Sequence, residues 1–191
     1  RALIGHVDTP GGTLTQWLNP SSGQPEPELD ELAELHRSGM AVAPVMVVPA
    51  ASQESFYRYG NLVKQLSELF LGVDPKDPDE DDLEELAPAA MALVTGSYLL
   101  DEVIDDFYET AVLLPEARRV RRPGEAGLEA RGQRASLLAV KRLWAADWSF
   151  GELCQRLAAT ASFALEARPI LLHAADEPSS DRKLTAEVAR C

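Results

Sequence analysis

Residues 40–48 read MAVAPVMVV, and residues 53–71 read QESFYRYGNLVKQLSELFL. Between them these two stretches decide the fold class. In the first, Val42, Val45, Val47 and Val48 are β-branched within a short bounded run, which predicts a strand. Pro44 inside that run places it at a sheet edge or a bulge, and Pro49 ends it. In the second, Phe56, Tyr59, Leu62, Val63, Leu66, Leu69 and Phe70 recur in steps of three and four, which traces one face of a long helix. Ser52 is suited to cap it, Gly60 weakens its middle, and Gly72 stops it.

Helical spacing continues on both sides. A short helix is expected over 28–38, with Leu29, Leu32, Ala33 and Leu35 on its apolar face and Gly39 at its end. Residues 80–114 read as helix in one or two pieces. Pro88 suits the first turn of a new segment, Gly96 weakens the middle, and Met91, Val94, Tyr98, Leu99, Val103, Phe107 and Leu114 form a buried stripe. A further helix is expected over 128–146. Ser149-Phe150-Gly151-Glu152 then matches a capping box opening a helix over 150–167. Pro169 turns Arg168 away from helix, and Ile170, Leu171, Leu172 and His173 form a second candidate strand that can pair with 40–48. The expected architecture is mainly α: a bundle of four to five helices with a small β element near 40–48 and 170–173. Residues 1–27 read as an irregular or extended segment, 28–175 as the helical domain and 176–191 as a polar tail.

Composition narrows the function. The chain has 191 residues, 46% hydrophobic, with 31 acidic and 18 basic side chains and a formal charge of −13. That apolar fraction can build a core, so disorder throughout is excluded. No run approaches the ~18 apolar residues a membrane span needs. Two cysteines, Cys154 and Cys191, are too few for a disulfide scaffold, and a reducing, cytoplasmic setting is expected. The net negative charge disfavours broad nucleic-acid binding.

The charges are segregated. Residues 74–109 hold thirteen acids and one base, while 116–142 hold three acids and eight bases. Asp101, Asp105 and Glu109 stand at i, i+4 and i+8 on one helical face, and like charges so spaced repel by a few tenths of a kcal/mol. Bound Mg²⁺ or Mn²⁺ would relieve that repulsion, with Glu84 or Glu85 on a facing helix. Glu102 and Asp105 resemble the ExxD spacing of the all-α nucleotide pyrophosphohydrolases, although that family's ExxE pair has no counterpart and no DDxxD of the isoprenyl synthases occurs. The resemblance implies metal-dependent cleavage of a phosphorylated small molecule. The plain alternative is that the acids of 80–85 favour a helix dipole and those of 101–109 form a solvated face.

Arg118, Arg119, Arg121 and Arg122 are the basic counterpart. They can neutralise the acidic block across a hairpin or between subunits, or bind phosphate or an acidic partner. Trp144 reads as a core plug, and Trp148 as a staple onto Leu153. Trp148 and Phe150 are also candidate interface anchors. Near the N-terminus, Gly5-His6-Val7-Asp8-Thr9-Pro10 resembles the GHxDTVP segment of the aminoacylase-type zinc metallopeptidases. That likeness implies a metal-binding His6 beside Asp8, whereas a polar turn after a short strand explains the same residues.

The expectation is a non-enzymatic protein-interaction or assembly module, acting with a protein partner or by self-association, as an oligomer or as part of a larger chain. It needs no cofactor. The second reading is a Mg²⁺- or Mn²⁺-dependent hydrolase, and the third is phosphate or nucleic-acid binding through the arginines.

Overall fold

The computed structural model describes residues 44–175 without a break, together with the backbone of Val7–Thr9 and Gly12–Gln16 and with Asp30, Glu31, Glu34 and Ser38. The molecule is mainly helical with a small sheet. Strands β1 (Val7–Thr9), β2 (Gly12–Gln16) and β3 (Val45–Val48) precede four helices: α1 (Ala50–Tyr59), α2 (Leu62–Leu69), α3 (Glu80–Gly96) and α4 (Asp101–Ala111). The hairpin β4 (Ala117–Arg121) and β5 (Leu128–Arg131) follows, then α5 (Gly132–Ala146), α6 (Phe150–Thr160) and β6 (Ile170–Ala174).

The strands lie in the order β1-β2-β3-β6-β4-β5. The two best strand signals do meet: β3 runs antiparallel to β6, with Met46 opposite Leu172 and Val48 opposite Ile170. β6 pairs on its other side with β4, and β4 with β5, both antiparallel, while β2 runs parallel to β3. All four residues of β3 are buried because both faces of the strand are covered, which is why its sequence shows a continuous apolar run rather than alternation. Met46, Val48, Val120, Ile170 and Leu172 face the main core beneath the helices. Val45, Val47 and Leu171 form a separate small cluster on the opposite face.

Helix α5 is the central helix of the core. Leu137, Ala139, Val140, Leu143, Trp144 and Ala145 are buried along it, and it packs against α3, α4, β4 and β5. Trp144 plugs the core as its spacing suggested. It stacks on Phe56 with ring centroids 5.0 Å apart, a contact worth about 0.5–1.5 kcal/mol beyond area burial.

The separate elements correct several sequence expectations. Residues 53–71 do not form one helix. Asn61 adopts a left-handed conformation with φ of 53° and breaks the run into α1 and α2, a role asparagine takes at low cost. Helix α1 starts at Ala50 after Pro49, so Ser52 lies inside the first turn, buried, and does not cap it. Pro44 precedes the described strand instead of interrupting it, and residues 40–43 lie outside the described residues. Helix α3 runs through Pro88, and the chain breaks later, at 97–100. The segment 116–131, read as a basic block leading into a helix, is largely a β-hairpin, and α5 begins only at Gly132. Helix α6 ends at Thr160, where Ala161 turns left-handed, well short of 167. Ser149 does occupy the position before α6, but its side chain makes no capping hydrogen bond. The expected helix over 28–38 is represented by helical Asp30, Glu31 and Glu34, with its apolar face outside the described residues. No single helix among the described residues is long and apolar enough to cross a membrane.

Candidate binding pocket

A cavity of about 650 Å³ lies between the α1–α2 pair with its turn at Asn61, Trp148 and the segment leading into β6. That volume lies in the range of small-ligand and side-chain pockets. Leu66, Phe70, Val73, Trp148, Phe163 and Leu165 supply apolar walls. The aromatic walls brace each other, with Phe70 stacked on Trp148 at 5.8 Å and on Phe163 at 4.7 Å.

The polar residues of the pocket fall into two sets. The inner set is already satisfied. The Tyr57 hydroxyl accepts from Trp148 Nε1 at 2.7 Å and donates to the Trp144 carbonyl at 3.3 Å. Burial pushes the Tyr57 phenol up to about 12, and the Asp147 charge adds to the rise while the Trp148 hydrogen bond opposes it. Gln53 donates to Asp147 Oδ2 at 2.8 Å and accepts from the Arg168 backbone N–H at 3.3 Å. The outer set is Glu54, Arg58 and Asn61, which are exposed at the rim and make no side-chain hydrogen bond or ion pair among the described residues.

Beneath the pocket floor sits a buried charge hub. Asp147, 4% exposed, receives the Arg122 guanidinium end-on, at 2.5 Å to Oδ1 and 2.6 Å to Oδ2. Arg168 adds a longer contact at 3.7 Å and also reaches Glu125 at 3.2 Å. Arg156 donates to the Asp147 and Phe163 carbonyls and lies over the Trp148 ring at 4.9 Å. Arg156 therefore ties two pocket walls, Trp148 and Phe163, to the backbone carbonyl of Asp147, whose carboxylate Arg122 holds. The role of Asp147 was not legible from the sequence, because a single acid between two tryptophans carries no periodic signal.

No known family model matches the chain, and no curated protein matches it either. The function of the site is therefore read from its geometry.

The residues singled out from sequence are distributed as follows. Asp101, Asp105 and Glu109 lie exposed along α4, and Glu84 and Glu85 lie exposed on α3. Among the described residues, no group of three or more His, Cys, Asp or Glu side chains is placed to hold a metal ion. Within the chain the acidic block is not neutralised by the arginines, since no ion pair among the described residues joins an acid of 74–109 to one of them. Arg118 turns inward and donates to the carbonyl of Ala111, the last residue of α4, and to those of Leu114 and Pro115 in the turn that follows. Arg119 pairs with Glu129 at 2.8 Å, and Arg121 Nε donates to His173 Nε2 at 3.1 Å. The run alternates along β4, so it forms two sets facing opposite sides of the sheet and not one basic patch. Trp148 is buried as a pocket wall, whereas Phe150 is partly exposed at the first position of α6. His6 and the Asp8 side chain lie outside the described residues.

Proposed function

We propose that this chain is a non-enzymatic protein-interaction module that captures a bulky apolar side chain of a partner protein in the pocket beside Trp148. The carrying observation is the half-open cavity whose walls are aromatic and whose inner polar groups are already paired. Gln53 and Tyr57 act as walls and not as reagents, because each has its hydrogen bonds committed inside the protein. A phenol held near 12 is also a poor proton donor at neutral pH. Val63, 62% exposed on the rim, extends the apolar surface toward solvent, as an interface needs and an enclosed metabolite site does not. The free, half-buried Cys154 thiol suits a reducing cytoplasmic setting.

The test uses a displayed library of random hexapeptides with the full chain as bait. Enriched peptides should share one bulky apolar residue. Ser67 is exposed on the α2 wall, so Ser67→Trp should block the cavity, weaken those peptides at least tenfold and leave the melting temperature unchanged. Absence of enrichment, or equal binding by the Ser67→Trp variant, overturns the reading.

A further inference from the structure

The segment between α6 and β6 has a strand's alternation but no strand partner. Phe163, Leu165 and Ala167 are half-buried and line the pocket; Ala164, which also lines it, and Glu166 are exposed. A burial period of two is that of extended backbone. The segment runs directly into β6, which is paired on both sides, yet 163–167 belongs to no helix or strand.

Its backbone hydrogen bonds can be followed one by one. The Ala164 N–H donates to Ser162 Oγ at 3.1 Å, the Arg168 N–H donates to Gln53 at 3.3 Å, and the Phe163 carbonyl accepts from Arg156 at 3.3 Å. The N–H and C=O groups of Leu165, Glu166 and Ala167 make no hydrogen bond among the described residues. In extended backbone the N–H and C=O of one residue point to the same edge, and every second residue repeats that direction. Leu165 and Ala167 thus present one edge with four unpaired groups, two residues apart, at the wall of an apolar cavity, whereas on the opposite edge Glu166 is unpaired but the N–H groups of Ala164 and Arg168 are committed.

We infer that the partner binds as an extended peptide that pairs its backbone with the Leu165–Ala167 edge and places an apolar side chain in the cavity. This rests on the protein-interaction reading above and adds the conformation of the ligand. Backbone pairing at an exposed strand edge supplies affinity without regard to sequence, and the cavity supplies the choice of side chain. The residue inserted is apolar because the walls are Leu66, Phe70, Trp148 and Phe163. Glu54 and Arg58 at the rim offer one charge of each sign to the residues flanking it.

The experiment compares two proline variants of the full chain against one enriched hexapeptide. Ala167→Pro removes an N–H from the proposed pairing edge, and Glu166→Pro removes one from the opposite edge. Proline's φ suits extended backbone in both cases. Ala167→Pro should weaken the peptide at least tenfold, and Glu166→Pro should bind within twofold of the parent. Because the peptide is built from known residues, the same reading can be made from its side. N-methylation of alternate peptide amides should abolish binding at one parity and spare it at the other. Thermal melts of both variants establish that they are folded. If the peptide binds, is lost in Ser67→Trp, and yet tolerates Ala167→Pro and every N-methylation, the pairing is overturned while the pocket reading stands. If proline at either position weakens binding equally, the pairing is again overturned. If no peptide is enriched, both fail together.

Discussion

Arg122 and Asp147 meet as a bidentate pair, both 4% exposed, in the angle between the end of β4 and the α5–α6 junction. Burial of two charges is tolerated here because Gln53 and the Leu143 carbonyl take up further hydrogen-bonding capacity. Removing one partner leaves the other charged and buried, which costs about 3–5 kcal/mol. Asp147→Ala should therefore lower the melting temperature by roughly 6–20 °C. The double variant Arg122→Met/Asp147→Leu should melt above either single variant. Calorimetry on the parent, Asp147→Ala, Arg122→Met and the double variant checks this. A double variant no better than Asp147→Ala would show that an unpaired buried charge is not what destabilises the single variants.

Arg118 acts as a C-terminal cap for α4. Its Nε reaches the Pro115 carbonyl at 2.6 Å, and its Nη2 reaches the carbonyls of Ala111 at 2.7 Å and Leu114 at 3.3 Å. A lysine offers one point of donation where the guanidinium offers a fork. Arg118→Lys should thus destabilise the protein by about 2–3 kcal/mol, close to the loss in Arg118→Met. Retention on immobilised heparin should be the same for both variants and the parent, because the side chain is buried. Weaker retention would instead assign Arg118 to an anion-binding surface.

The β4–β5 hairpin depends on Gly127. Its φ is +73°, and a Cβ there would stand 2.4 Å from the Val120 carbonyl oxygen and 2.3 Å from Arg121 Cβ. Gly124, with φ of +75°, has nothing within 4 Å of the same position. Gly124→Ala should cost only the left-handed penalty of about 1–2 kcal/mol. Gly127→Ala should cost clearly more, because backbone must also move. Urea denaturation of the two variants separates the two costs, and equal losses would show that the hairpin relaxes freely.

Tyr57 should make stability fall in alkali. Its phenol titrates near 12 in the folded chain against about 10 unfolded, so the folded state holds the proton more tightly. The contribution is fully present below pH 10 and is lost as pH rises from 10 through 12, by up to about 2–3 kcal/mol. In the parent, tyrosinate absorbance should show one of the four tyrosines titrating last. Tyr57→Phe should remove that late step and flatten the stability curve over this interval. A single titration near pH 10 for all four would contradict the buried geometry.

What the sequence disclosed depended on periodicity. β3 and β6 were visible because both are short apolar runs with β-branched or leucine-rich content; the sequence allowed their pairing without requiring it, and the register shows it. The stripe through Leu137, Val140, Leu143 and Trp144 marked α5 correctly. Strand β4 was hidden because four of the residues around Val120 are arginines, whose charge reads as surface while three of them, Arg118, Arg121 and Arg122, are buried. The break at Asn61 was masked by an apolar stripe that continues through the turn. The pocket was invisible for a different reason. It is made by residues from α1, α2, the α5–α6 junction and the approach to β6, and no local pattern joins them. The acidic and basic blocks were plain in the sequence, but their adjacency in the chain suggested a mutual pairing that the fold does not make.

The sheet order carries a consequence for biosynthesis. β6, the latest of the described strands, lies between β3 and β4, and Leu172 pairs with a residue 126 positions earlier. At usual translation speeds, residues 45–48 leave the ribosome roughly 6–25 s before their antiparallel neighbour exists. During that interval an all-apolar strand waits without its partner, and the nascent chain cannot close the middle of its sheet. The β3–β6 and β4–β6 pairings can form only after residues 170–174 have been synthesised, so the two halves of the sheet are joined by the last strand made among those described.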